Sequence, residues 1–514
     1  MTKTEAAIEI GSTGIRLLVA EIDNHGTHSI LDRAELPVAL GRDVFTSGTI
    51  SRTILLQCLS ILNRFREQLL GWQILPEDTT VVATSAIREA KNRDSVLDRI
   101  MVKTGFRVKV IDGIEENRLM YLAINDCLKG QHVSVTEKDS IILEVGGGST
   151  EIMLSTKGKI AGAHSIRLGT VIIEQQLKFM MGSMEDAKRY AAEYINNTKV
   201  SLSNELNLEE VEQFFALGND MKIAAIFAGE PISAFLWKIE RKNFAEFLNE
   251  IQDYSAEELT ARFKISINEA QSLHLNLLVY QLFLNLTNAD SLLVPETNLR
   301  DGIIISKKMA LQNASSQTDI QQEFYEQIMA SALNLLRKYH GDENHAKYVR
   351  MMCSKFFDSL KDELGLHNKA KMLLEIAALL HDIGTFIRPS DHHEHSKYII
   401  EHSEIFGMSK DDITIVAQIA KWHRGSKSMK DDPFFVTLPR ETRLTILKLT
   451  AILRIADSLD RSHTQRINGF KISFSTETMT IRTDGSHNNV LEKFAISEKS
   501  NLFESVFGYK VILV

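Results

Sequence analysis

The chain has 514 residues, 44% of them hydrophobic and 25% charged, with a formal net charge of −8. That length exceeds what one hydrophobic core supports, and the composition is that of an ordinary globular protein. No run approaches the ~18 apolar residues that span a bilayer, and the N-terminal residues lack the zones of a signal peptide. Cys58, Cys127 and Cys353 are too few and too scattered for a disulfide framework or a zinc cluster. These features predict a cytoplasmic protein with reduced thiols that binds neither membrane nor, given its acidity, DNA in a general way.

Taken in chain order, Ala6–Ile22, Val81–Ala86 and Val108–Ile111 read as strands, and Leu55–Leu70 reads as a helix. Ser140–Ser155 is a strand pair, after which the pattern turns helical to about residue 306. Between Gln321 and Asp460 the strand signal disappears. Apolar residues recur there at helical spacing in Phe324–Tyr339, His345–Leu360, Met372–His381 and Leu444–Leu459. Ala310–Asp319 is a polar linker, and alternation returns in Phe470–Phe474, Met479–Thr483 and Val511–Val514. The expected division is 1–123 and 124–308 as two α/β lobes, 318–462 as an all-helical domain and 463–514 as a small α/β cap.

A weak internal repeat links the two lobes. Ile8-Glu9-Ile10-Gly11-Ser12-Thr13-Gly14 and Leu143-Glu144-Val145-Gly146-Gly147-Gly148-Ser149-Thr150 are each an apolar strand with one acid, a Gly/Ser/Thr turn and a second apolar strand. Such turns bring backbone N–H groups and hydroxyls close to phosphate oxygens, which nominates Gly11, Ser12, Thr13, Gly146, Gly147, Gly148 and Ser149 as phosphate-binding residues. Glu9 and Glu144, at the strand ends, are candidates to hold Mg²⁺.

Further segments follow in a fixed order: Val82-Ala83-Thr84-Ser85-Ala86-Ile87-Arg88-Glu89-Ala90, Ile111-Asp112-Gly113-Ile114-Glu115-Glu116-Asn117-Arg118, Ile166-Arg167-Leu168-Gly169 and Leu299-Arg300-Asp301-Gly302. Together with the hairpins Glu9–Arg16 and Glu144–Glu151, this order resembles the exopolyphosphatase / guanosine pentaphosphate phosphohydrolase family of the actin-like/sugar-kinase superfamily. The resemblance implies an α/β fold with two actin-like (ribonuclease H-like) lobes around a cleft, and a homodimer. It implies Mg²⁺-dependent release of terminal phosphate from inorganic polyphosphate or from guanosine pentaphosphate, which leaves the tetraphosphate. It puts the water-activating carboxylate at Glu116, a substrate clamp at Arg88 and a supporting acid at Glu151. Taken alone, Glu115-Glu116 is an acidic helix start. This chain departs from the family in having Glu9 and Glu144 where Asp is usual, Thr13-Gly14 in place of Asn-Ser, and Gly218-Asn219-Asp220 in place of Gly-Gly-Thr.

In the helical region His345, His381-Asp382 and Asp457 occur in the order H…HD…D, with His395 and His423 between the last two members. This resembles the HD phosphohydrolase superfamily and implies one or two divalent metals held by these residues, with His395 and His423 in the order of the extra ligands of two-metal versions. Mixed nitrogen and oxygen donors suit Mn, Fe, Co, Ni or Zn. Lys421, Arg424, Lys427 and Lys430 form a basic run beside His423, a candidate polyphosphate track. Two other readings compete with the leading one: a metal-dependent HD hydrolase of a nucleotide with regulatory front lobes, and a sensor of polyphosphate or alarmone without turnover.

Overall fold

The opening strands of the two lobes carry apolar runs because both of their faces are covered. In the computed structural model Ala6, Ala7 and Ile8, and later Ile141, Ile142 and Leu143, are each 0% exposed. The structure describes residues 2–23, 28–131, 133–135, 138–180, 183–203, 206–312, 319–361, 365–366, 368–424, 429–467, 469–483 and 489–514. They form two units, Met1–Glu326 and Gln327–Val514.

The first unit holds two sheets. One contains β1 (Lys3–Ile10), β2 (Gly14–Ile22), β3 (His28–Pro37), β4 (Thr80–Ala83) and β5 (Val108–Val110), in the order β3-β2-β1-β4-β5. The other contains β6 (Ser140–Val145), β7 (Thr150–Thr156), β8 (Lys159–Ile166), β9 (Gln213–Leu217), β10 (Glu230–Ser233), β11 (Leu236–Glu240) and β12 (Ser291–Pro295), in the order β10-β11-β12-β9-β6-β7-β8. Read from its β8 edge, β8-β7-β6-β9-β12 repeats the first sheet. In both, the first three strands are antiparallel and the next two pairings are parallel. This duplicated lobe is the expected actin-like plan.

Two expectations need correction. Val81–Ala86 is not one strand: β4 stops at Ala83 and Ser85–Glu89 is a short helix. The turn lets Thr84 N–H bond the Ile10 carbonyl at 3.2 Å and starts the helix that carries Arg88. The second lobe is also less helical than its sequence reads, because β9 to β12 lie in that stretch. Each has at most five residues, too short for periodicity to separate strand from buried helix.

The second unit packs the helices Glu343–Ser359, Asn368–Leu380, His392–Glu401, Lys410–Trp422 and Arg440–Ser458. Its sheet, β13 (Phe470–Phe474), β14 (Thr478–Thr483) and β15 (Lys510–Leu513), runs in that order, with helices Val490–Lys499 and Asn501–Phe507 between the last two strands. Residues 313–318 of the expected linker lie outside the described residues. Among the described residues no helix is long and apolar enough to cross a membrane.

Candidate active site

The two glycine turns are built alike. Gly11 N–H bonds Gly14 O at 2.9 Å in the first, and Gly146 N–H bonds Ser149 O at 2.8 Å in the second. Each turn also receives the start of a helix, through Gly41 N–H to Ser12 O (2.8 Å) and Val171 N–H to Gly147 O (2.9 Å). The turns close on one another, since a Cβ on Gly147 would lie 2.9 Å from Ser12 Cβ, and Gly169 packs against the second turn, where a Cβ would lie 2.3 Å from Gly147 O. Between them opens a cavity of about 410 Å³, lined by Gly11, Ser12, Thr13, Gly146, Gly147 and Ser149 together with Glu116, Glu151, Glu9 and Glu144. Gly148 is not part of that wall. It allows packing, because a Cβ there would meet Phe45 Cζ at 2.3 Å and Ser85 Oγ at 2.7 Å.

Glu116 reaches the cavity because its neighbours are committed elsewhere. Asp112 caps helix Gly113–Leu128 through Glu115 N–H (3.0 Å), and Glu115 is gripped at both oxygens by Arg118 (2.6 and 2.9 Å). Gly113 lets the helix start approach the second lobe, since a Cβ would fall 2.2 Å from Ser165 Cβ. Arg88 Nη1 donates to Glu116 Oε1 and to Ile111 O, both at 2.6 Å. Arg88 is therefore turned onto the carboxylate, which makes it a positioning group for Glu116 before any clamp on substrate. Burial pushes the Glu116 carboxyl up to about 7, with the charges of Glu9 and Asp112 adding to the shift and Arg88 opposing it.

Glu151 is 3% exposed and accepts from Ser149 Oγ (2.9 Å) and Ser165 Oγ (2.8 Å), with Asn117 Nδ2 at 3.4 Å. Burial, and then the charge of Glu116, raise its pKa well above the carboxylate range. Burial and the charges of Glu9 and Glu116 raise Glu144 to about 7. Asp220 also reaches about 7 through burial; it lines the cavity and accepts from Asn276 Nδ2.

Glu9 and Glu144 do not form the expected Mg²⁺ cradle. Glu9 Oε1 lies 3.3 Å from Arg16 Nη1 and Glu9 Oε2 lies 2.6 Å from Arg300 Nη1, so both oxygens of Glu9 are engaged by guanidiniums. Among the described residues, no group of three converging ligand atoms includes either acid. The donors as placed do not fit a divalent ion in this cleft.

A second cluster lies within the helical unit. His345 Nε2 and His381 Nε2 are 3.5 and 3.7 Å from Asp457 Oδ1. Asp382 Oδ1 is 3.0 Å from His392 Nε2 and 3.2 Å from His423 Nε2. The structure thus brings together His345, His381, Asp382, His423 and Asp457. His392, the first residue of its helix, also faces this cluster, whereas His395 sits one turn further on, half-buried. Gly384 makes room for that helix, because a Cβ would lie 2.1 Å from His392 O. Of the basic run, Lys421 is bound to Asp432 at 2.5 Å, and Lys427 and the side chain of Lys430 lie outside the described residues.

Residues 18–310 match the family model described as Ppx/GppA phosphatase family, and residues 329–502 match Ppx/GppA phosphatase, domain III. The chain belongs to the Ppx/GppA phosphatase family. It is similar to the guanosine-5'-triphosphate,3'-diphosphate pyrophosphatase of Vibrio vulnificus, 23% identical over 497 residues that cover 93% of each chain. It is also similar to the protein of that name from Photobacterium profundum, 22% identical over 455 residues, 87% of this chain and 86% of that one. Among solved structures, an exopolyphosphatase from Cytophaga hutchinsonii superposes with a TM-score of 0.53 at 20% identity, over 60% of this chain and 98% of that one. That likeness speaks to the fold.

Within this Ppx/GppA chain, sequence reasoning passed over Arg16, Arg300, Ser165 and His392. Arg300 was in plain view inside Leu299-Arg300-Asp301-Gly302. The glycine of that segment has its own reason: a Cβ on Gly302 would lie 2.1 Å from Leu119 O, on the helix that carries Glu116. His392 and His395 are equivalent in sequence, and only the helix start separates them.

Proposed function

We propose that the front cleft hydrolyses a terminal phosphoanhydride, with Glu116 taking the proton of the attacking water. The observation that carries this is a buried carboxyl in the cavity wall, held by Arg88 and titrating at about 7, where a general base works best near neutral pH. Water oxygen bonds to the terminal phosphorus, the bond from that phosphorus to the bridging oxygen breaks, and the proton passes to Glu116. Arg16, Arg300 and Lys222 line the cavity and supply the positive charge. The hydroxyls of Ser12, Ser85 and Ser149 supply donors.

The acceptor-rich lining of the cavity favours guanosine pentaphosphate over long inorganic polyphosphate. Seven carboxylates line it against three cations. Inorganic polyphosphate offers hydrogen-bond acceptors only, which the ionised carboxylates of the wall cannot bond. A nucleoside brings N–H and O–H donors, which Asp220 and the neighbouring amides of Asn219, Asn268 and Asn276 can meet. The test is phosphate release from guanosine pentaphosphate, tripolyphosphate and long-chain polyphosphate by wild type and Glu116→Gln. Release that Glu116→Gln leaves intact would overturn the proposal; faster release from long polyphosphate than from the nucleotide would overturn the substrate preference alone.

A further inference from the structure

Helix Ile267–Leu284 is apolar and buried along most of its length, yet it carries a polar stripe. Asn268, Ser272 and Asn276 follow one another at intervals of four, which puts them on one face, and all three line the front cavity. The stripe deepens along the helix: Asn268 is exposed, Ser272 is half-buried and Asn276 is only 7% exposed. A buried amide needs a partner, and Asn276 Nδ2 donates to Asp220 Oδ2.

Asp220 lies in the first turn of helix Asn219–Ala228, and the starts of the two helices are tied together there. Asn219 Nδ2 donates to Glu269 Oε1 at 2.9 Å, while Glu269 Oε2 caps its own helix through Ser266 N–H at 2.8 Å. These bonds hold Asp220 against the stripe.

Asp220 differs from other acids of the cavity wall in what satisfies it. Glu9, Glu35 and Glu116 each meet an arginine, and Glu151 meets two serine hydroxyls. Asp220 has the amide of Asn276 on one oxygen, and among the described residues no hydrogen bond reaches Oδ1. Asn276 Oδ1 is buried without a partner as well. This end of the cavity therefore presents acceptors that call for donors, and no ion pair among the described residues supplies them.

A phosphate brings no donors. A carboxylate is met best by two parallel N–H groups, and guanine presents that pair as N1–H beside its 2-amino group. Hypoxanthine keeps N1–H and lacks the amino group. Adenine turns a lone pair at N1 toward the acid, which an ionised carboxylate repels. The O6 of guanine is an acceptor beside N1–H, and the side-chain amide of Asn268 has no partner of its own among the described residues.

Resting on the front-cleft reading above, we propose that Asp220 and Asn268 select a guanine base. The Asp220 carboxylate accepts from N1–H and the 2-amino group, and Asn268 Nδ2 donates to O6. Both residues touch the base and take no part in the proton transfer at Glu116. The acid falls in Gly218-Asn219-Asp220, a segment in which this chain departs from the usual Gly-Gly-Thr.

The test measures phosphate release by the full chain at pH 8, where the Asp220 carboxyl, raised by burial to about 7, is ionised. The substrates are guanosine pentaphosphate, its inosine and adenosine counterparts, and tripolyphosphate, which has no base. Wild-type kcat/KM should favour guanosine over adenosine by about 10- to 10²-fold, with inosine between. Asp220→Asn keeps an oxygen for Asn276 and turns the other acceptor into a donor. Its guanosine-to-adenosine ratio should fall to about one or invert, with the change in KM rather than kcat. Asn268→Ala, at an exposed position, should lower the ratio about 3- to 10-fold, and circular dichroism checks that both variants are folded. A wild type that treats the nucleotides alike, while Glu116→Gln still abolishes release from tripolyphosphate, would overturn the base selection and leave the front-cleft reading standing. If no substrate turns over, the front-cleft reading falls, and calorimetric titration with guanosine and adenosine tetraphosphates reads the base directly. Equal affinities there, or a guanosine preference in either assay that Asp220→Asn leaves intact, would overturn the selection.

Discussion

The two glycine hairpins share a turn, a register and a place in their sheets, and differ in the charge set across the strands. In the first, Glu9 pairs with Arg16, and Arg300 adds a second guanidinium. In the second, Glu144 pairs with Glu151, an acid opposite an acid, which ordinarily destabilises a sheet. The first hairpin satisfies its acid with ion pairs, and the second does so by burial, proton retention and the hydroxyls of Ser149 and Ser165. One lobe thereby contributes fixed charge to the cleft, and the other contributes carboxyls that titrate near neutrality. The lesson is that duplicated backbone positions diverge through their cross-strand partners.

The sharpest way to break this comparison is to remove the carboxyl poised between the hairpins. Glu116→Gln should lower kcat about 10²- to 10⁴-fold with little change in KM. In the wild type, kcat/KM for phosphate release should rise as the pH passes through about 7, because the base is active when ionised.

Next in size is the packing that holds the parts together. Gly302→Ala forces the helix bearing Glu116 to shift, and should cost about 1–3 kcal/mol in denaturant unfolding together with a fall in kcat.

Glu151→Gln then tests the like-charged pair directly. The fold holds the Glu151 carboxyl protonated above its ordinary value of 4.5, so its stabilising contribution is full below that pH and is lost as the pH rises toward the folded value. The variant should therefore melt above wild type at about pH 8, with the difference vanishing at low pH.

The smallest effect belongs to the first hairpin. Arg16→Met should change stability by less than about 1 kcal/mol, as part-exposed ion pairs do, while raising KM.

The sequence by itself determined a good deal of this protein. Apolar strands such as Ala6–Ile10 and Ile141–Val145, each broken only by one acid, announce covered sheets, and helical periodicity from residue 324 onward announces the second unit, because local burial patterns survive in one dimension. Glu116 was legible through its place in an ordered set of segments. Tertiary structure decided what depends on partners remote in sequence: that Arg88 faces Glu116, that Arg300 meets Glu9 from 291 positions away, and that Gly148 packs while Gly147 lines the cavity. It also chose His392 over His395, since a helix start fixes which of two neighbouring imidazoles points inward. Charge pairing and side-chain direction are properties of three-dimensional neighbourhoods, and residue order alone does not carry them.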